Sequence, residues 1–99
     1  MRMIKRLVNR IDDELHGAES YAEKMIESAA SGDDKNSDMF KHMAEDEMRH
    51  ATQLHQYAVT KIENLRKIYT PPQDMLDKWE TSHNDYVSRS NAIRAIISI

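Results

Sequence analysis

Apolar residues recur along the chain at spacings of three and four, and nowhere at strand period. In the first third they fall at Ile4, Leu7, Ile11, Ala18, Tyr21 and Met25, the one-sided stripe of an amphipathic helix. That helix is expected over residues 2–30. The stretch "SGDDKNS" ends it: Gly32 suits the position just past a helix end, and Asn36 or Ser37 can cap a second helix over 37–68. "YTPP" breaks the chain again, since a proline disfavours helical geometry in the residue before it. With Pro72 in its first turn, a third helix is expected over 72–96. The pattern predicts an all-α single domain, an antiparallel hairpin of long helices plus a third helix.

The second helix carries two apolar stripes. One reads Phe40, Met43, Glu47, His50, Leu54, Tyr57, and the other Ala44, Met48, Ala51, His55, Ala58, Ile62, Leu65. A helix apolar over that much of its circumference is expected to be covered on two sides, by its hairpin partner and by another subunit.

Composition narrows the chemistry. A chain of 99 residues buries a modest share of its surface, which favours a partner copy. Net charge is −3, so the basic start "MRMIKRLVNR" is not a nucleic-acid footprint and reads as a solvated helix face. That start has no long apolar region of a secretory signal, and no run reaches membrane-span length; the expected location is cytoplasmic. There is no cysteine, which excludes disulfides, rubredoxin-type iron and thiol catalysis. A metal would have to use His, Asp or Glu.

Glu47 and His50 stand in an apolar stripe three residues apart. At that spacing two side chains lie on one helix face and can reach one ion. With 8 Glu and 5 His in the chain, chance alone gives roughly 0.4 Glu-x-x-His pairs, so position rather than motif singles this one out. A carboxylate buried between Met43 and Leu54 is costly unless paired or bound to a cation. On the first helix Glu19 is the expected third ligand, because Glu19 and Glu47 both lie roughly 15–17 Å from the hairpin turn. Glu14 lies about 7.5 Å further from the turn and Glu23 about 6 Å nearer to it, which makes them poorer matches. Glu80 and His83 also form a Glu-x-x-His pair, but its height is some 15 Å away from the Glu47 level. His83 is expected to wedge between Trp79 and Tyr86 in the helix seam. His55, on the other stripe, is expected in a core or interface.

The combination of Glu19, a turn, and Glu47-Met48-Arg49-His50-Ala51 resembles one half of a ferritin-like carboxylate bundle. The segments "SYAEKM" and "MAEDEMRHATQLH" are similar to rubrerythrin-type proteins and to short relatives in gut bacteria and phages. In that family each half gives one Glu and one Glu-x-x-His, and two halves enclose two metal ions. The resemblance implies a homodimer or higher homo-oligomer, completed about a two-fold axis, with Glu19, Glu47 and His50 as ligands. It implies a di-iron centre, with manganese or zinc as substitutes, and ferroxidase chemistry in iron handling or oxidative-stress protection. Met75, Leu76, Trp79, Tyr86 and Ile93 of the third helix would add contacts between copies. Lacking a rubredoxin centre, such a protein would draw on an external reductant. The alternative is a non-catalytic helical interaction protein, phage-derived, with at most a structural metal.

Overall fold

The structure is a computed structural model that describes residues 2–99. Three helices follow in order: α1 (Arg2–Ala30), α2 (Asp34–Ile68) and α3 (Gln73–Ile97). Among the described residues there is no strand. Nor is any helix long and apolar enough to cross a membrane.

Punctuation falls close to the expected places. Gly32 adopts φ 80, a left-handed conformation that a residue with a Cβ takes only under strain. The cap of α2 is Asp33, which accepts from the backbone N–H of Asn36 at 3.1 Å. Asn36 also donates its side-chain amide to Asp33 at 2.7 Å. The second helix therefore starts at Asp34, a turn earlier than a cap at Asn36 or Ser37 would allow. Pro72 precedes α3 as its N-cap, and its carbonyl accepts from the N–H groups of Met75 and Leu76.

α1 and α2 form the long antiparallel hairpin. α3 returns along it, antiparallel to α2, and leans more on α1 than on α2. The body is a rod of 55 × 19 × 16 Å. Its main core joins Ile11, Leu15 and Ala18 of α1 with Met48, Ala51 and Ala58 of α2 and Tyr86 and Ile93 of α3. A smaller cluster of Ile4, Ile62 and Met75 closes the end where α3 begins. Each large apolar side chain buried here stabilises the fold by about 1.5–3 kcal/mol.

Of the two stripes on α2, the second is the core stripe. Ala44, Ala51 and Ala58 are fully buried on α2, as are Ala18 and Ala22 on α1. Small residues on both helices let the backbones approach, so that stripe wins the interior. The stripe holding Glu47 and His50 runs along the hairpin's open side, where Phe40, Met43, Glu47 and Leu54 are half-buried and His50 and Tyr57 are exposed. Within one chain the pair therefore lies on the surface of the hairpin and not in its core. On the third helix Met75, Tyr86 and Ile93 are buried against their own hairpin, while Leu76 and Trp79 are half-buried.

Candidate metal centre

On the open side, Glu14, Glu47 and His50 converge. One ligand atom from each lies within 4.8 Å of the others. His50 Nδ1 is 3.5 Å from Glu14 Oε2, and Arg10 donates from Nη2 to Glu14 Oε1 at 3.5 Å. The cluster lies beside a 540 Å³ groove formed by Arg10, Glu14, His50, Gln53, Leu54 and Tyr57.

The α1 carboxylate that joins Glu47 and His50 is thus Glu14, and the expected Glu19 faces elsewhere. Glu14 and Glu19 are five residues apart, which turns them about 140° from one another around the helix. Glu19 points to α3, where Arg89 grips it from Nε and Nη2 at 3.1 and 2.5 Å. Arg89 also donates to Asp12 at 2.7 Å and to Asp85 at 2.9 Å. This hub lay outside the sequence reading, because a long side chain reaching across helices leaves no periodic mark.

Height misled for a specific reason. An ideal Cβ on Gly17 would lie 3.2 Å from both Cδ and Oε2 of Glu47, so the level of Glu47 on α1 is Gly17, midway between Glu14 and Glu19. With both acids within about a turn of that level, the helix face decides which of them meets Glu47. A glycine inside a long helix costs stability relative to alanine and marks a close approach. Here it seats the Glu47 side chain.

The electrostatics are those of two carboxyls forced onto one spot. A hydrogen bond with Glu14, reinforced by burial and by the charge of Glu14, pushes the Glu47 carboxyl up to about 7. Glu14 is held below the usual carboxylate range, chiefly as acceptor of that same bond, with help from His50 and Arg10. Near neutral pH the pair therefore shares a proton, the arrangement expected when like charges cannot both ionise. A divalent cation can replace that proton. Two carboxylates and an imidazole form a donor set suited to iron, manganese or zinc, so the residues fit the metal that the family resemblance implies.

The remaining candidates lie apart. His83 meets His55, with 2.8 Å between Nε2 of His55 and Nδ1 of His83. Trp79 packs beside both rings, and Tyr86 stacks on His55 at 4.0 Å between centroids. His16 stays with Asp12 of its own helix, and His42 with Glu45. Tyr21 stacks on Phe40 at 6.3 Å near the hairpin turn.

Comparison of the chain with protein families, with characterised proteins and with solved structures finds no match.

Proposed function

We propose that this chain is a ferritin-like metal protein in which Glu14, Glu47 and His50 hold a divalent cation. Two chains then close open side to open side, sharing a pair of ions among four carboxylates and two imidazoles. The observation that carries this reading is the convergence of the three donors within 4.8 Å on a surface otherwise half-apolar. Phe40 and Met43 lie on one side of the cluster and Leu54 and Tyr57 on the other, which suits burial against a second copy.

In this reading Glu14 and Glu47 bind and neutralise positive charge, and His50 adds a neutral nitrogen donor. Glu47 must release its proton to bind, so affinity rises with pH through about 7. Iron bound there would supply redox chemistry toward dioxygen or peroxide, the ferroxidase activity that the resemblance implies. The chain's own part is to hold charge, move the Glu47 proton and exclude water from the closed face.

A second reading has its own support. Arg10 and His50 both contact Glu14, so the fold stands without an ion and a plain helical interaction protein would show the same hairpin.

Titration with ferrous, manganous and zinc ions, read by elemental analysis and molecular size, separates the two. The metal reading expects one ion per chain and a dimer, with stoichiometry lost in Glu14→Ala, Glu47→Ala and His50→Ala and kept in Glu19→Ala. Full stoichiometry in the first three variants would overturn the site. A chain that stays monomeric with metal bound would overturn the shared arrangement.

A further inference from the structure

The His55–His83 contact stands away from the proposed metal centre and has chemistry of its own. The two nitrogens are 2.8 Å apart, while the ring centroids are 5.0 Å apart with planes 20° from parallel. The imidazoles therefore meet edge to edge, one ring N–H donating to the bare nitrogen of the other. Such a bond needs at least one neutral ring. It joins the middle of α2 to α3, across the least extensive of the three helix interfaces. Around it, Tyr86 covers the face of His55 and hydrogen-bonds Thr52 at 3.0 Å.

No compensating carboxylate attends the pair: among the described residues, no ion pair includes His55 or His83. On α3 the neighbouring charges are Glu80, one turn before His83, and Asp85, which is engaged by Arg89. On α2, Thr52, one turn before His55, accepts from Arg94 at 3.3 Å. α1 brings apolar Leu7, Ile11 and Leu15 to this core, and its acids Asp12 and Glu19 are both held by Arg89.

We propose that His55 and His83 form a proton-operated latch that fastens the first half of α3 to the hairpin and opens on acidification. One proton on the pair is tolerated, because an imidazolium N–H still donates to a neutral ring. A second proton, on His55, sets two N–H groups against each other and breaks the bond. Burial and the neighbouring His83 already hold His55 below its ordinary 6.5. The sign follows from that depression: the contribution to stability is full above 6.5 and is lost as pH falls below it toward the folded-state value. Arg89, gripped by three acids further along α3, keeps the second half docked. The opening is local.

Trp79 is the only tryptophan in the chain and lies 5.5 Å from the His55 ring centroid, so its fluorescence reads the latch directly. Titrating the metal-free protein from about pH 7.5 to about pH 5 should change Trp79 emission with a midpoint below the histidine reference value. Amide exchange should quicken several-fold in residues 75–84 relative to α1. In His55→Phe, which keeps an aromatic ring against Trp79 and Tyr86, both transitions should vanish. Flat Trp79 emission and unchanged relative exchange in the wild-type protein would overturn the latch without recourse to any variant. An unchanged midpoint in folded His55→Phe would do the same. Neither outcome bears on metal binding, which is tested separately.

Discussion

Two acid clusters flank α1, and the chain treats them in opposite ways. Toward α3, three carboxylates surround the Arg89 guanidinium, which is held charged above its ordinary range chiefly by its hydrogen bonds with Glu19. Toward the open side, Glu14 and Glu47 press on one another, and the nearest cation is Arg10 at the rim with its side chain 64% exposed. The ingredient is the same in both places, a glutamate of α1 one face from the core. Where a third helix supplies a guanidinium the acid becomes a structural clamp. On the face that α3 leaves bare, the acid pair must share a proton or take a cation from outside.

The sharpest way to break this contrast is to remove the internal cation. Arg89→Met leaves Glu19, Asp12 and Asp85 without their shared partner. Loss of one side of a fully buried network costs about 3–5 kcal/mol. The three acids are 40–50% exposed, and water screens them, so a loss nearer about 2 kcal/mol is expected. For a domain of this size that lowers Tm by roughly 10 °C. Denaturant unfolding checks the value, and adding Glu19→Gln should recover part of it because the two sites are coupled. Metal uptake at Glu14, Glu47 and His50 should be unchanged. A variant as stable as wild type would mean that the clamp contributes nothing, and the contrast would lose one side.

The helices were legible because their signals are local: apolar spacing, one glycine with positive φ, and a proline pair. The candidate centre was legible by halves. Glu47 and His50 stand out because they interrupt a stripe on one helix. Their partner on α1 depends on the rotation of one helix against another, which chain counting does not supply. Starting α2 at Ser37 rather than Asp34 shifted the height as well, making Glu19 look level. The clue that would have corrected this was Gly17, whose missing side chain marks the Glu47 level. Which stripe of α2 faces inward was likewise open, and the burial of Ala44, Ala51 and Ala58 decides it.

Gly17 also offers a way to sharpen the contrast. Gly17→Ala removes a helix-weakening residue, worth up to about 1 kcal/mol in metal-free stability. The new Cβ would lie 3.2 Å from Glu47, and the flexible carboxylate can move aside to accommodate it. Stability should therefore hold or rise while the donor set opens, weakening divalent-metal affinity by about tenfold. Thermal unfolding and metal titration on the same sample test both halves. Tighter metal binding together with higher Tm would show that Gly17 does not seat Glu47.

Arg10→Gln should have the smallest effect and bears on the open side alone. Its contact with Glu14 is 3.5 Å long and solvated, so the change in unfolding free energy should stay within about 0.5 kcal/mol. Yet Arg10 places its guanidinium on Glu14, and an incoming cation must displace or tolerate it. Removing that competing charge should tighten divalent-metal binding by about two- to threefold at low ionic strength, with the gain shrinking as salt screens the pair. Titrations at low and high salt read the effect directly. Weaker binding in the variant would instead assign Arg10 to holding Glu14 in place, and the open side would then carry a small clamp of its own.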